Sequence, residues 1–484
     1  MKVLFLPVDS RPCSWLFPKQ LLEWCGVECI LPQMEVLDHF TRPSDWHGIQ
    51  EFLTAHAAEA DVWAISLDQL CFGSLLASRE LDMTEQEALD RLAWFEQLRA
   101  QYPDKPVHAV NTIMRTSVSA LSLADMHVYH AMMEYSYWSD KSVVTGSLED
   151  MARAERAARR IPMDTILKYH EVRQRNHRIN SKGVELARKG VFNSLLLLME
   201  DSEEYGFHRT EQRILQEQIG GAPHIMIQNG TDEGPLLVMK CLMKQTLPVA
   251  VEWVGREDGQ FIARYEDRPF VENVESVFRY IGIEEAPDAP VTLAIAANTA
   301  GAQIDTTMVT TMPAYPQDEE RAALRINELL SEGRTVYLLD LFCCNGGWPD
   351  FIKRIEHPER LAGYSAWNTA TNALGTLVGQ ICSDAIADRR NVNFRNERFL
   401  DDLLYENCIR SQLTLTLKAE GQDPYHLTDK KKADLLLQEF FRQLFARQGG
   451  WTRRFSNVLD ILPKTYRVSL PWERTFEVEA RFTP

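Results

Sequence analysis

Two pairs of adjacent carboxylates mark places where this sequence of 484 residues could carry out acid–base chemistry. Asp232 and Glu233 lie in the segment QNGTDEGPLL, and Glu200 and Asp201 follow the apolar run SLLLLM. Burial beside apolar side chains and a second carboxylate would raise one pKa toward neutrality, as a proton donor requires. We expect Glu233 to act as the general acid and Asp232 to orient or stabilise the substrate. Glu200 or Asp201 would supply the second carboxylate.

Each pair also has a simpler interpretation. Acidic residues are common in the first turn of a helix, where they interact favourably with the helix dipole, and this would explain Asp232 and Glu233. The run EDSEE, which begins at Glu200, would in the same way be an acidic loop that caps a helix.

Polar side chains also follow the other apolar runs of the chain. VLFLPV leads to Asp9, VWAISL to Asp68 and VHAV to Asn111, and eight runs in all end in this way. One such residue is most simply a helix cap, but eight favour an enzyme, because the carboxyl ends of parallel strands share one edge of a sheet. We expect this edge to bind the hydroxyls and the ring of a substrate through Asp9, Arg11, Asp68, Asn111, Tyr205, Asn298, Asp340, Asn345, Trp367 and Asn368.

Residues 120–190 interrupt the alternation of strands and helices. They predict two or three helices and no strand, and residues 151–190 contain 11 Lys and Arg against 4 Asp and Glu. A solvent-exposed helical face would explain this charge. The alternative is a helical insertion over the site, in which positions 176 and 180 share one helical face. Its pocket-lining residues would be Arg175, Asn176, His177 and Asn180.

The remaining apolar runs predict an α/β protein. Strands near residues 3, 62, 107, 194, 224, 249, 292 or 335, and 363 alternate with helices, which predicts parallel pairing. Eight or nine strands with polar ends favour a (β/α)₈-like barrel with a helical insertion after the third strand, and an open doubly wound parallel sheet is the alternative. We expect a catalytic domain over residues 1–390, including the insertion at 120–190. Residues 391–484 would form a helical extension with a short β tail.

The composition narrows the class of ligand. A net charge of −17 disfavours nucleic acids and anionic membranes, both of which attract basic surfaces. No apolar run approaches the roughly 18 residues of a membrane span, the N-terminus has no signal sequence, and the nine cysteines show no metal-ligand spacing. Dinucleotide, phosphate-loop and serine-hydrolase motifs are missing as well. We therefore expect a cytoplasmic enzyme with a small-molecule carbohydrate substrate and no cofactor, and we leave a homo-oligomer open.

The turn around Asp232 and Glu233 resembles a known catalytic turn. NGTDEG is similar to the Gly-Gly-Asp-Glu turn of retaining β-hexosaminidases, in which the Asp holds the substrate's acetamido group and the Glu is the acid. The resemblance implies these roles for Asp232 and Glu233. Thr231 departs from that turn.

A longer resemblance covers nearly the whole chain. Ten ordered segments resemble the bacterial domain-of-unknown-function 4127 family, which implies no particular activity. The sequence departs from the family at Met199-Glu200-Asp201, where Gln-Asp-Asp is usual, and at Thr231, where Ala is usual. The segments are PVDSRP, SLDQLCFGSLLASR, NTIMRTS, RNHRIN, LLMEDSEEYGFHRTEQR, NGTDE, ARYEDRP, NGGWPD, YSAWNTATNALGT and LPWERTFEV.

Together these features predict a glycoside hydrolase that acts on small oligosaccharides or amino-sugar glycosides. The alternative is a hydrolase or lyase that depends on Mg²⁺ or Mn²⁺. A non-catalytic sugar-binding protein is the third class. The metal ligands of the alternative would be Asp9, Asp68, Glu200, Asp201 and Asp232.

Overall fold

The structure, a computed structural model, describes residues 1–300, 303–307, 314–447, 450–461 and 466–482. The chain divides into two compact units. Unit 1 comprises Met1–Leu242 together with Tyr265–Asp267, and unit 2 comprises Met243–Arg264 and Arg268–Pro484. Within the described ranges, no helix combines the length and the hydropathy that crossing a membrane requires.

Unit 1 contains a six-stranded parallel sheet. Its central strands are Val-, Ile- and Leu-rich and buried along their whole length, as strands covered on both faces must be. The order across the sheet is β2-β1-β3-β4-β5-β6. The strands are β1 (Lys2–Leu6), β2 (Glu28–Ile30), β3 (Val62–Ser66), β4 (Val107–Ile113), β5 (Ser194–Met199) and β6 (Ile225–Asn229).

Nine α-helices belong to the described part of unit 1. The fourth helix begins with a capping box, in which the Thr84 hydroxyl accepts from the backbone N–H of Glu87 and the Glu87 side chain accepts from the backbone N–H of Thr84. Short 3₁₀ helices cover Ala77–Arg79 and Leu123–Asp125. The α-helices are α1 (Pro12–Trp24), α2 (Trp46–His56), α3 (Leu67–Phe72), α4 (Glu85–Ala100), α5 (Met126–Thr145), α6 (Leu148–Ala158), α7 (Met163–Arg188), α8 (Phe207–Ile219) and α9 (Gly234–Lys240).

The strand order of unit 1 reverses at β1. The chain runs from β1 to β2 on one side and then continues through β3 to β6 on the other, which creates a topological switch point between β1 and β3. Farther along the sheet, Ile113, Met199 and Asn229 lie level with one another on β4, β5 and β6. The residues that follow these three strands therefore share one edge of the sheet, where ligands of open α/β folds bind.

The predicted helical interruption is confirmed as α5, α6 and α7, which lie between β4 and β5. The C-terminal half of α7 buries Ile179, Val184 and Leu186 in the core of the sheet. The surface arginines of this region pair with acidic neighbours, for example Arg160 with Glu134. Most of the positive charge is therefore a solvated helical face.

Unit 2 contains a five-stranded parallel sheet in the order β13-β11-β9-β7-β8. As in unit 1, the second strand along the chain (β8) lies at the edge of the sheet beside the first (β7), and the later strands follow on the other side of the first. A two-residue parallel pair joins β10 to β12, and the predicted antiparallel tail is confirmed as β14 paired with β15. The strands are β7 (Leu247–Val254), β8 (Ile283–Glu285), β9 (Val291–Ala296), β10 (Ile304–Asp305), β11 (Thr335–Asp340), β12 (Cys343–Cys344), β13 (Gly363–Ser365), β14 (Tyr466–Ser469) and β15 (Glu479–Phe482).

The helices of unit 2 include an 11-residue π-helix over Phe399–Ile409, a rare form that is frequent at functional sites. A 3₁₀ turn covers Pro358–Arg360. The α-helices in the described residues are α10 (Phe270–Ile281), α11 (Pro316–Ser331), α12 (Pro349–Ile352), α13 (Ala370–Ala387), α14 (Val392–Arg398), α15 (Arg410–Ala419), α16 (Lys430–Ala446) and α17 (Trp451–Val458).

The α/β class is confirmed, but the described strands form two open parallel sheets where one closed barrel was predicted. β6 and β8 are edge strands, so the two halves of the alternation do not join into one sheet. The predicted domain boundary at residue 390 falls inside unit 2. Side chains of α16 such as Leu437 and Phe441 share a core with Leu338 of β11, so residues after 390 do not form a separate extension.

Candidate functional site

Arg11 connects the ends of β1 and β6. Asp9 and Arg11 lie in the turn before α1, and Asp232 follows β6. The Nη2 atom of Arg11 donates to Asp232 Oδ1 at 2.6 Å and to Asp9 Oδ2 at 2.7 Å, and Nε adds a bond of 2.9 Å to Asp9. Burial opposes the charge of Arg11, but the two carboxylates raise its pKa well above the usual value. Asp9 and Arg11 therefore pair with each other, and Asp232 is the second carboxylate partner of Arg11.

Two arginines hold the carboxylates that follow β5. Arg79, at the end of its 3₁₀ turn, forms an ion pair with Glu200, and the backbone N–H of Arg115 donates to Glu200 at 3.2 Å. The guanidinium of Arg115 pairs with Asp201 and lies 3.8 Å from Glu200. Asp201 adopts a left-handed backbone with φ of 35°, a strained conformation for a residue other than glycine. Burial raises the pKa of Asp201, which Arg115 opposes and Glu200 reinforces.

Glu233 differs from these carboxylates because it has no partner. Its side chain is fully buried, and neither carboxyl oxygen meets a hydrogen-bond partner in the part of the chain that the structure describes. Burial raises the pKa of Glu233 well above its usual value, and the charges of Asp232 and Glu266 add to this effect. Burial and the neighbouring charges thus both favour the protonated form of Glu233.

Glu266 reaches this place through the short segment Tyr265–Asp267, which packs with unit 1. The carbonyl of Tyr265 accepts from the backbone N–H of Ser202 at 2.9 Å. Asp267 accepts from Asn229 at 3.0 Å. The segment is thereby fixed against the ends of β5 and β6, where it places a carboxylate close to Glu233.

Asp68 is a buried carboxylate that follows β3. It lies in the first turn of α3, directly after β3, and its Oδ2 atom accepts from the backbone N–H and the hydroxyl of Thr112, both at 2.9 Å. Burial raises the pKa of Asp68 to about 7, an effect that the two bonds from Thr112 oppose and the charge of Glu200 reinforces.

The side chains at these strand ends act on one another electrostatically. The charge of Arg11 lowers the pKa of Arg79, and that of Asp232 raises the pKa of Asp201. We call the set the rim cluster. It consists of Asp9, Arg11, Asp68, Arg79, Arg115, Glu200, Asp201, Asp232, Glu233 and Glu266.

Arg175 and Asn176 do not line this cluster, contrary to prediction. Arg175 donates to the backbone carbonyls of Glu80 and Met83 at 2.7 Å and of Ser78 at 2.6 Å, and Asn176 also donates to Ser78 at 2.8 Å. These bonds tie α7 to the turn that carries Arg79. Both residues therefore support the position of a rim arginine from behind.

The other predicted residues near α7 and α8 also lie elsewhere. Asn180 accepts from Asn111 at 2.5 Å, whereas its own Nδ2 atom is buried without a hydrogen-bond partner among the described residues. Tyr205 packs against Tyr137 with ring centroids 5.5 Å apart, on the side of α5. The Nδ1 atom of His177 is buried without a hydrogen-bond partner among the described residues, and burial lowers the pKa of this side chain.

Five predicted residues belong to unit 2, where they hold loops. Asp340 accepts from the backbone N–H of Trp348 at 2.7 Å and from Tyr364 at 3.2 Å, and burial raises its pKa to about 6. Trp367 is buried and donates to Glu406 at 3.0 Å, so its face is not an open platform for a sugar ring.

The three predicted asparagines of unit 2 also have structural partners. Asn345 and Asn368 both adopt left-handed backbones, and the N–H of Asn345 donates to the carbonyl of Asn368 at 3.0 Å. Asn298 donates to the carbonyl of Phe342 at 3.1 Å. These asparagines therefore hold loops of unit 2, and the carboxylates of the rim cluster belong to unit 1.

Three residues that belong to the rim cluster or interact with it were not predicted from the sequence. Arg115 and Glu266 lie in segments that the family resemblance quoted, NTIMRTS and ARYEDRP, but neither ends an apolar run. Asp38 accepts from Ser10 at 3.3 Å, and burial raises its pKa well above the usual value, with a further contribution from Asp9. A single sequence gave no signal for Asp38, because it lies in an irregular segment.

The carboxylates of the cluster are occupied by arginines and backbone donors. Among the residues that the structure describes, no three His, Cys, Asp or Glu side chains are arranged to hold a metal ion. The predicted metal ligands Asp9, Asp68, Glu200, Asp201 and Asp232 thus lack the convergence that a divalent ion needs.

Comparison with known proteins identifies the family. The sequence model described as "Protein of unknown function (DUF4127)" matches residues 3–481. The chain belongs to the DUF4127 family. The resemblance seen in the ten sequence segments is thereby confirmed, and the rim cluster is a feature of a DUF4127 chain. Neither the search of curated proteins nor that of solved structures found a match.

Proposed function

We propose that unit 1 is a glycoside hydrolase with Glu233 as its general acid. The observation that carries this proposal is the pairing of two adjacent carboxyl groups in opposite environments. Glu233 is buried without a partner and keeps its proton, whereas Asp232 forms an ion pair with Arg11. Neighbouring titratable groups whose environments separate their protonation states are the usual basis of acid and base roles.

Cleavage of a glycosidic bond needs a proton on the leaving oxygen and a group that stabilises positive charge on the sugar. Glu233 would donate the proton. Asp232, fixed by Arg11, would hold an acetamido or hydroxyl group next to the reacting carbon, as in the turn that NGTDEG resembles. Asp201 is the more exposed carboxylate after β5, with 22% of its side chain accessible, and would be the second carboxylate.

In this conformation Glu233 is closed off from solvent. A substrate therefore requires a movement of the residues that cover it, as in enzymes whose sites close around the reactants. The segment Tyr265–Asp267 is the element to move, since it is short and places Glu266 near the acid.

A panel of nitrophenyl glycosides, led by N-acetylhexosaminides and extended to small oligosaccharides, tests the proposal. Glu233→Gln should lower kcat by roughly 100-fold or more, because general acid catalysis contributes 10²–10⁴-fold. Its thermal stability should stay near that of the wild type, since glutamine resembles the neutral acid. Glu217→Gln, the same change at an exposed position of α8, is the control.

Three results would contradict the proposal. Undiminished turnover in Glu233→Gln would remove the acid role. Loss of turnover in excess chelator would instead support the metal-dependent alternative. Stabilisation by sugars without product over long incubation would make the protein a binding protein.

A further inference from the structure

Arg79 and the loop that follows β4 contain buried hydrogen-bond donors that have no acceptor among the residues the structure describes. The Nε atoms of Arg79 and Arg115 and the hydroxyl of Ser117 are all buried without a partner among the described residues. Arg79 and Ser117 are themselves more than nine-tenths buried. Such groups are rare in folded proteins because a buried donor without an acceptor is costly, so each needs an explanation.

These donors belong to one place in unit 1. Arg79 and Arg115 both contact the Glu200 carboxylate. Arg79 also donates to Ser119 at 3.2 Å, which ties it to the loop that contains Ser117. The loop is closed on the other side by the hydroxyl of Thr116, which donates to the carbonyl of Asp201 at 3.4 Å.

The sheet fixes how far this donor group lies from the acid. β4, β5 and β6 are adjacent, and neighbouring strands are about 4.8 Å apart, so the ends of β4 and β6 are separated by roughly 10 Å. Arg115 and Ser117 follow β4, and Glu233 follows β6. That span is about the width of one sugar ring with its substituents.

The chemistry of the donors selects the group that would meet them. A guanidinium can only donate, so two guanidiniums and a hydroxyl match an acceptor that does not itself donate. A planar carboxylate fits arginine better than a neutral sugar hydroxyl does. Arg115 pairs with Asp201 through its Nη2 atom, and its Nε atom remains as a donor for a ligand carboxylate.

We propose that Arg79, Arg115 and Ser117 bind a carboxylate of the substrate, so that the preferred glycosides are those of acidic sugars. This inference rests on the proposed function for the reaction, but the binding of the carboxylate stands by itself. Arg79 and Arg115 orient the sugar by its carboxylate, and the glycosidic oxygen then lies toward Glu233.

The test compares the binding of D-glucuronate and D-glucose by calorimetry. Wild type and Glu233→Gln should bind glucuronate, and glucose should bind at least tenfold more weakly. Ser117→Ala removes a hydroxyl that has no partner, so the protein should fold normally yet bind glucuronate at least fivefold more weakly. Arg115→Lys keeps the charge beside Asp201 but removes Nε, and should reduce affinity at least tenfold. Ser456→Ala, which removes another buried hydroxyl without a partner in unit 2, should bind as the wild type does.

Equal binding of glucose and glucuronate would overturn the inference, as would unchanged affinity in Ser117→Ala and Arg115→Lys. Inorganic phosphate that competes fully with glucuronate would overturn the assignment to a carboxylate. Failure of the hydrolase proposal looks different: glucuronate binds with the expected dependence on Ser117 and Arg115, yet no nitrophenyl glycoside is cleaved. If neutral glycosides are cleaved as fast as glucuronides, the hydrolase proposal survives and the inference fails.

Discussion

At the scale of single residues, the buried carboxyl groups of unit 1 differ in their ion-pair and hydrogen-bond partners. Asp9 and Asp232 share an arginine, whereas Glu233 has no hydrogen-bond partner among the described residues and feels the charges of Asp232 and Glu266. Desolvation and like charge both favour the neutral acid, and hydrogen bonds from a guanidinium favour the ionised one. Two adjacent positions of one turn can therefore differ in protonation at the same pH.

Asp68 should make the stability of the protein depend on pH. Its pKa is raised by burial from 3.8 to about 7, so the folded state binds more protons than the unfolded state between these values. The stabilisation is complete below pH 4 and is lost as the pH rises through 7. The difference of about three pKa units corresponds to an upper value of about 4 kcal/mol.

Asp68→Asn should remove this dependence. Asparagine keeps an oxygen for the two bonds from Thr112 and resembles the neutral acid. In urea unfolding, the variant should match the wild type near pH 3.5 and exceed it by about 2–4 kcal/mol at pH 8. An equal difference between the two proteins at both pH values would show that Asp68 does not titrate in this range.

The sequence allowed the acidic half of the rim cluster to be predicted, since each of its predicted carboxylates follows an apolar run. The arginines that hold Glu200 and Asp201 were not predicted as site residues. Arg79 and Arg115 come from loops, and their partners are 121 and 86 residues away along the chain. Pairing over such distances depends on strand order, which the local sequence does not encode.

At the scale of elements, α7 shows how a correct helix can be given a wrong role. The sequence predicted the helix and the shared face of positions 176 and 180. At the turn before α4, Arg175 and Asn176 donate to backbone carbonyls that would otherwise be buried without donors. Asn180 instead contacts Asn111 of β4.

Arg175→Lys and His177→Ala should therefore behave differently, although the two positions are only two residues apart on α7. Lysine cannot reach three carbonyls at once, so Arg175→Lys should lower the free energy of unfolding by about 1–3 kcal/mol. His177→Ala should change it by less than about 1 kcal/mol and leave turnover unchanged. Urea unfolding and the glycoside assay measure both effects. A large fall in turnover for His177→Ala with normal stability would restore the predicted pocket over the site.

At the scale of the whole molecule, the alternation of strands and helices did not distinguish one barrel from two sheets. Both folds use right-handed crossovers between parallel strands, and they differ only in whether the strands close into a ring. In each sheet the second strand along the chain lies at the edge, beside the first. In unit 1 this order results from β1 pairing on both sides, with Val3 opposite Cys29 of β2 and Val62 of β3. No periodicity in the sequence reports that pairing.

The segment Tyr265–Asp267 follows β7 in the chain but belongs to unit 1. Asp267 is fully buried at its side chain and pairs with Arg209, and it also accepts from Asn229. Asp267→Ala leaves that buried amide without its acceptor, so unit 1 should lose about 2–3 kcal/mol. Hydrogen exchange read by mass spectrometry should show faster exchange in β5 and β6 and unchanged exchange in β9 and β11. Asp258→Ala, the same change at an exposed aspartate, should leave all four strands unchanged. Equal losses of protection in both sheets would mean that the two units do not unfold as separate cooperative bodies.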